Sequence, residues 1–320
     1  MVAAPHTGPL RIVFFGTPEF AVPTFDALLQ SHHQMVGVVT QPDRPRGRGF
    51  EVSDAPVKAR AVAAGVPVLQ PGRMKDPSFL HAFSALNADL AVVAAYGQIL
   101  TDKILAVPRL GFVNVHASLL PRYRGAAPVH HAIIAGERET GVTIMRVVKA
   151  LDAGPMLATV RRSIGPDDTS DEVERDLARL GAGLLVSTVD AFADGHLVEV
   201  PQNNAAASYA HRLTKDEGLV DWQQSAERVH NLIRGLHPWP LAYSFLNGKR
   251  LILRRSALLA ELNAPPGTVV EASGDRLTVA AGTSGVAILE IQAEGKRPMA
   301  PREFLAGHRV APGSHFSSLP

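Results

Sequence analysis

The chain contains no cysteine. That absence excludes disulfides, thiolate nucleophiles and cysteine-ligated metals. No apolar run approaches the roughly 20 residues that a membrane-spanning helix requires. Charge of one sign is barely in excess, with a formal net charge of +2. So small a surplus is compatible with a nucleic-acid partner without demanding one. Residues 1–9 hold no lysine or arginine and no apolar stretch. They are expected to be a loose tail rather than a signal or transit peptide. The default expectation is therefore a soluble cytoplasmic protein.

What is present is a large apolar fraction, 46% of 320 residues. That length exceeds one typical domain and suggests two. The first two thirds alternate strand and helix patterns. Residues 10–15, apolar apart from Arg11, form a strand stopped by Gly16. A helix is expected after Pro18, with Phe20, Phe25, Leu28 and Leu29 inward. Residues 35–40 make the next strand. Ser53 and Asp54 read as helix caps, Pro56 as a first-turn residue and Gly65 as a stop. A short strand at 66–69 and a helix at 79–86 follow. Residues 90–95 are apolar throughout, as a central parallel strand buried on both faces should be. Two more strands are expected at 111–116 and 142–148. Thr169 and Glu172 then make a capping box for a long helix. Its apolar face runs through Val173, Leu177, Leu180, Leu184, Val189 and Phe192. Together these elements predict a Rossmann-like, doubly wound α/β domain over residues 1–198.

The pattern changes in a polar stretch, and residues 199–213 read as a linker. Beyond it a helix near 225–235 precedes strands at 241–246, 250–254, 267–271, 277–281 and 286–292. Short strands separated by Gly and Asn turns suggest a small OB-like barrel over residues 214–320.

The chemistry concentrates in the strand at 111–116. Side chains alternate along it, so Val113 and Val115 point one way and Asn114 and His116 the other. The C-terminal end of such a strand is where ligands bind in open α/β sheets. The irregular loop 118–125 follows, able to lay backbone amides and apolar side chains along a flat heterocycle. Downstream, Asp152 sits in a Leu-Asp-Ala-Gly-Pro turn after another strand. An amide donor, an imidazole and a carboxylate suit transfer of a one-carbon acyl group to an amine. Asn114 can donate to a developing oxyanion. His116 can exchange protons near neutral pH. Asp152 can favour the imidazolium or order a water that takes the amine proton. Taken singly, the residues have plainer readings. A strand-end histidine is more often structural, and Asn or Asp beside a turn is usually a cap.

The run Asn114-Val-His116-Ala-Ser118-Leu-Leu-Pro121-Arg-Tyr-Arg-Gly125-Ala-Ala-Pro128, with Asp152-Ala-Gly154 downstream, resembles the signature of the folate-dependent formyltransferases. Within that superfamily the chain is most similar to the methionyl-tRNA formyltransferase family. The similarity runs from Arg11 to Leu305. It implies 10-formyltetrahydrofolate as donor co-substrate and the α-amino group of initiator methionyl-tRNA as acceptor, with the product used to begin translation. It also implies Asn114, His116 and Asp152 as catalytic positions, and Ser118, Leu119, Leu120 and Pro121 as the folate-contacting loop. Small departures are Ala117, Tyr123, Ala150 and the pair His130-His131, none of which removes a reacting group.

The resemblance also gives meaning to three arginines spaced by two, Arg44, Arg46 and Arg48. Pro and Gly between them rule out a helix. By composition they read as a solvated loop; by resemblance they are an insertion that reaches the acceptor stem of the tRNA, with Arg48 foremost. Tyr96, Gly97 and Ile99 follow the central strand and are expected to border the pterin, the alternative being a plain turn with packed aliphatics. Gly16 to Phe20 lacks the Gly-x-Gly-x-x-Gly pattern, which argues against a dinucleotide. His237-Pro-Trp239-Pro240 reads as a rigid aromatic corner. In the C-terminal domain bases barely outnumber acids, so tRNA contact must be local. Lys249 and Arg250, with Arg254 and Arg255, are the best candidates. No metal is expected: the adjacent pairs His32-His33 and His130-His131 should point apart on a helix or a strand. A monomer is expected. The runner-up readings are a formyltransferase with a small amine acceptor, a formate-releasing hydrolase, and a non-catalytic RNA-binding protein.

Overall fold

The computed structural model describes residues 8–43, 45–46, 51–52 and 54–319. In chain order the strands and helices begin with β1 (Arg11–Gly16), α1 (Val22–Gln30), β2 (Gln34–Val39), β3 (Pro45–Arg46), β4 (Glu51–Val52), α2 (Pro56–Ala63), β5 (Val68–Leu69), α3 (Pro77–Ala85) and β6 (Leu90–Ala94). They continue with α4 (Asp102–Leu105), β7 (Phe112–His116), β8 (Arg124–Gly125), α5 (Pro128–Ile134), β9 (Glu139–Arg146), β10 (Met156–Ser163), α6 (Ser170–Ala193) and β11 (Tyr209–Ala210). The last are α7 (Ala226–Gly235), β12 (Ala242–Leu246), β13 (Lys249–Leu258), β14 (Val269–Ser273), β15 (Arg276–Ala280), β16 (Gly285–Ala293), α8 (Pro301–Gly307) and β17 (Phe316–Ser317). The chain forms two compact units. One gathers residues up to 126, 140–162 and 174–210; the other gathers 127–139, 163–173 and 211–320.

The first unit holds a seven-stranded sheet in the order β10-β9-β7-β6-β1-β2-β5. Strands β7, β6, β1, β2 and β5 run parallel, and β9 returns antiparallel to β7. The chain winds outward from β1 to β2 and β5, then crosses back to β6 and β7. The order therefore reverses at β1, which opens a crevice at the carboxyl ends of β1 and β6. The parallel core strands are apolar because both faces are covered. Phe15 shows why: it is fully buried and meets Phe83 and Tyr96 edge-on, with ring centroids 5.4 Å and 5.3 Å away.

Two expectations for helices change here. Phe20 lies in a 3-10 turn (Glu19–Ala21) ahead of α1 and is only partly buried; on α1, Phe25 and Leu28 are buried and Leu29 only partly so. On α6, the residues turned inward are Leu177, Ala178, Gly181, Ala182, Leu185 and Val189, whereas Leu180 is exposed and Leu184 and Phe192 are partly buried. Small residues set the contact: a Cβ at Gly181 would lie 2.9 Å from Val115 Cγ1 and 3.2 Å from Val142 Cγ1. The helix backbone lies close on the sheet there, and larger neighbours rotate outward.

The second unit is built on a six-stranded antiparallel sheet in the order β14-β15-β16-β13-β12-β17. The long strand β13 bends at register shifts near Arg255, and such bulges increase twist. The sheet curls until its two edges meet. Thr268 bridges His315, Val269 N–H donates to Ser314 O at 2.8 Å, and Phe316 N–H donates to Gly267 O at 2.8 Å. The result is a small OB-like barrel. Trp222, Phe304, Phe316 and aliphatic residues fill it, with α7 packed against β13 and β16. Among the described residues no helix is long and apolar enough to cross a membrane.

One half of the expected capping box is present at the start of α6, while the Thr169 hydroxyl turns to the Asp171 and Glu172 carboxylates. Thr169 N–H donates to Glu172 Oε2 at 2.8 Å, and Arg255 Nη2 donates to Glu172 Oε1 at 2.8 Å. The backbone bond from Thr169, then Arg255, holds the Glu172 carboxyl down at about 2 against an ordinary 4.5. A carboxyl depressed in the folded state stabilises it above its unfolded pKa and loses that contribution as pH falls through the folded value. Glu172→Gln should therefore lower Tm at pH 7 by a few degrees, the effect of roughly 1 kcal/mol for a cap. The gap to the unsubstituted protein should shrink between pH 4.5 and about 2. Thermal scans across that range check it; a gap independent of pH would contradict the assignment.

Candidate active site

Strand β7 delivers the central pair. Its register against β9 sets Asn114 opposite Met145 and His116 opposite Thr143, so both polar side chains leave the same face near the strand's carboxyl end. Asn114 is half-buried and His116 is buried. The imidazole is oriented from both sides. Its Nε2 lies 3.0 Å from the Tyr123 carbonyl, which only accepts, so Nε2 carries a proton. Its Nδ1 faces Asp152 Oδ2 at 3.7 Å, longer than a direct hydrogen bond. Asp152 Oδ2 also accepts from Gly125 N–H at 2.8 Å. The tertiary fold thus brings Asp152 to His116, which strand alternation alone could not do. Asp152 takes a left-handed backbone, φ 46°, as does Tyr123 at φ 59°. Such conformations persist where surrounding contacts over-determine them. Ala150, the departure nearest Asp152, is exposed and leaves these contacts in place.

The loop after β7 is tied to the sheet. Ser118 Oγ donates to Arg122 O at 2.7 Å, Thr143 Oγ1 donates to Ser118 O at 2.7 Å, and Leu120 N–H donates to Thr143 Oγ1 at 3.2 Å. Ser118 and Leu120 are buried, and Leu119 lies against Gly141 of β9. The hydroxyl and the two leucines thus hold the loop's shape. Pro121, following a cis peptide, is partly exposed. Across the crevice, Tyr96 differs from its expectation. Its ring is in the aromatic core at 2% exposure, its hydroxyl meets Met74 Sδ, and burial raises its pKa. What it offers locally is a carbonyl, which accepts from Gln41 Nε2 at 2.9 Å. Gly97 turns the chain with φ 83°, and Ile99 stands at the surface, 89% exposed.

Of the stretch expected as a linker, residues 199–210 belong to the first unit and lie along the site, and 211–213 belong to the second unit. Strand β11 pairs in parallel with β8, Tyr209 beside Arg124 and Ala210 beside Gly125. Tyr123 N–H donates to Ser208 Oγ at 2.9 Å. Gln202 Nε2 donates to Asp152 O at 2.8 Å and to Gly154 O at 2.7 Å. Buried Arg124 donates to Gln202 Oε1 and to Asn204 Oδ1. Nothing in residue order singles out Gln202 or Ser208, since each meets partners dozens of positions away. Arg124 does lie inside the motif run.

The basic candidates are treated differently by the fold. Arg44 and Arg48 lie outside the described residues. Arg46 belongs to a two-residue strand opposite Glu51. Lys249 is exposed, and the Arg250 guanidinium stacks 3.8 Å above the Tyr243 ring. Arg254 and Arg255 are engaged with Glu290 and Glu172.

Contrary to expectation, His32 and His33 do not point apart. They lie in a turn, and both rings approach Asp190 Oδ1, at 3.7 Å and 3.1 Å. His33 Nδ1 accepts from Leu10 N–H, so its Nε2 is protonated and donates to Asp190 rather than offering a lone pair to a metal. A second group joins His131, His211 and Glu217. There His131 Nε2 donates to the His211 carbonyl, while His211 Nε2 bonds Glu217.

Residues 10–189 match the family described as formyl transferase, and residues 212–309 match the formyl transferase C-terminal domain. The chain belongs to the formyl transferase family. The methionyl-tRNA formyltransferase of Caldanaerobacter subterraneus is 47% identical over 307 residues, 95% of this chain and 99% of that protein. That of Methylococcus capsulatus is 46% identical, over 94% and 98% of the two chains. Solved structures share the fold. An N-formyltransferase from Helicobacter canadensis, in complex with folinic acid and dTDP-3-aminofucose, superposes with a TM-score of 0.68 at 17% identity, over 89% of this chain and 99% of that one. HypX from Aquifex aeolicus, in complex with tetrahydrofolic acid, gives 0.65 at 16% identity, over 93% and 47%. The doubly wound unit with its curled antiparallel partner is thus the formyl transferase architecture.

Proposed function

We propose that this formyl transferase moves the formyl group of 10-formyltetrahydrofolate to the α-amino group of initiator methionyl-tRNA, giving the formylated tRNA that begins translation. The observation carrying the chemistry is His116 Nδ1 facing Asp152 Oδ2 at 3.7 Å beside Asn114. The acceptor rests on relatives about 45% identical along essentially their whole length that carry that name. The co-substrate supplies an activated formyl carbon. Asn114 donates its amide N–H to the oxygen that gains charge as the amine attacks. Each such donor is typically worth roughly 100- to 1000-fold in rate. His116 keeps Nε2–H on Tyr123 and presents Nδ1, the nitrogen free to pass a proton to the departing folate nitrogen. Asp152 stabilises the charged imidazole and orders the water that accepts the amine proton. Loop 118–121 and the Gly97–Ile99 turn border the folate, largely through backbone and through Pro121.

The arginines at 44, 46 and 48 engage the tRNA acceptor stem, and Lys249 with the Arg250–Tyr243 stack engages its backbone from the barrel. We further take the enzyme to be a cytoplasmic monomer, which sedimentation would check.

The direct test supplies 10-formyltetrahydrofolate with charged initiator tRNA or with small amines. Formylation of charged tRNA alone is expected. Formylation of small amines and not of charged tRNA would overturn the acceptor, and release of formate with neither would support a hydrolase. A second test concerns the loop. Arg48→Ala should raise KM for charged tRNA several-fold and flatten its salt dependence. A change confined to folate KM would contradict that role.

A further inference from the structure

We infer that Gln202 is a positioning residue for the transfer reaction, and that the strap from 202 to 210 is a working part of the active site rather than a connector. This rests on the reading of His116 and Asp152 given above. Both partners of the His116 imidazole are held by this strap. Tyr123, whose carbonyl accepts the hydrogen bond from Nε2–H, has its own N–H on Ser208 Oγ at 2.9 Å. Asp152, which faces Nδ1, has its carbonyl on Gln202 Nε2 at 2.8 Å. The same amide nitrogen reaches Gly154 O at 2.7 Å, so one NH₂ group bridges both sides of the turn that presents Asp152.

The Gln202 amide can sit only one way round. Its Oε1 receives Arg124 Nε at 3.1 Å and Nη2 at 2.7 Å, and Arg124 only donates. A flipped amide would set donors against the guanidinium and an oxygen against two carbonyls. Arg124 is itself 3% exposed and is shared with Asn204 Oδ1 at 2.8 Å. Hydrogen bonds from a buried guanidinium are strong and directional. The chain of contacts Arg124, Gln202, Asp152 therefore locks a turn whose φ of 46° is unfavourable for a non-glycine residue. No part of Gln202 needs to touch substrate; it acts by fixing where the carboxylate stands.

Gln202→Glu separates this role from a merely structural one. The glutamate keeps acceptors for Arg124 and adds an ion pair, which offsets part of the stability lost with the two donors. It loses both donors and turns an oxygen toward the Asp152 and Gly154 carbonyls. A misplacement near 1 Å costs on the order of 100-fold in rate. Gln202→Glu should therefore lower kcat about 10- to 100-fold, with KM for 10-formyltetrahydrofolate and for charged tRNA within about 3-fold and the protein fully folded at the assay temperature. Gln202→Ala should do the same with a larger loss of Tm. A Gln202→Glu enzyme with kcat within about 2-fold of the parent would overturn the inference. So would a fall in kcat matched by loss of Tm and a rise in both KM values. Asp152→Asn measured alongside tells the two levels apart. If Asp152→Asn is crippled and Gln202→Glu is not, positioning by Gln202 is wrong and the catalytic assignment stands. If Asp152→Asn keeps normal turnover, the catalytic assignment itself fails, and the inference with it.

Discussion

Asp152→Asn is expected to lower the turnover number about 100- to 1000-fold while charged-tRNA binding stays within about 2-fold. The substitution is nearly isosteric. Its Oδ1 can still accept from Gly125 N–H, the bond now made at 2.8 Å, and its backbone carbonyl can still accept from Gln202. What disappears is the negative charge that faces His116 Nδ1 at 3.7 Å. Without it nothing opposite Nδ1 balances the charge that develops as the proton passes, and the water proposed to accept the amine proton loses its anchor. His116→Ala should act as strongly, since it removes the group that passes the proton. Steady-state kinetics with saturating 10-formyltetrahydrofolate and charged tRNA, together with a binding titration on each variant, give the answer. Turnover near the parent's in either variant would mean that the reacting groups lie elsewhere. Loss of tRNA binding in step with turnover would mean that the site does not divide binding from chemistry as argued.

The parts of this site that could be read in the sequence are those set by local periodicity. Alternation along 111–116 puts Asn114 and His116 on one face whatever surrounds the strand, and the register of β7 against β9 agrees. The Thr169–Glu172 device is likewise local, four residues long, and its bond from the Thr169 N–H to Glu172 forms as expected. Elsewhere tertiary context decides. Leu180 fits an apolar stripe on α6, yet close contact at Gly181 turns the helix so that Leu185 is buried instead. Tyr96 stands at the end of a central strand, where ligands often bind, but its ring fills a gap beside Phe15. His32 and His33 would diverge on a regular element; in a turn they converge on Asp190. The polar stretch 199–213 is the clearest case. Its composition is that of a linker because polar side chains such as Gln202 and Ser208 meet polar backbone, and its buried apolar residues are Ala210 and Leu213 alone. Gln202 and Ser208 satisfy carbonyl and amide groups of two irregular loops, which leaves no hydrophobic pattern to recognise.

Gly154→Ala should produce the second large effect, and for a reason of space alone. A Cβ at this position would fall 1.9 Å from the Arg146 carbonyl oxygen and 2.9 Å from its carbon. Those are backbone atoms at the end of β9, where Arg146 is paired with Val113 of β7. The sheet cannot recede without breaking that ladder, so the turn carrying Asp152 must move. The displacement needed exceeds 1 Å, and it pulls on the bond from Gln202 Nε2 to Gly154 O. A shift of that size should lower kcat about 100-fold. Overpacking of this kind also costs about 1–3 kcal/mol, a fall in Tm of several degrees. Ala150→Gly, in the same loop but at an exposed position, is the control and should leave turnover within about 2-fold. Measured below its melting transition, Gly154→Ala with full turnover would show that the Asp152 turn can move without consequence. The tight turn would then be a feature of the fold and not of the chemistry.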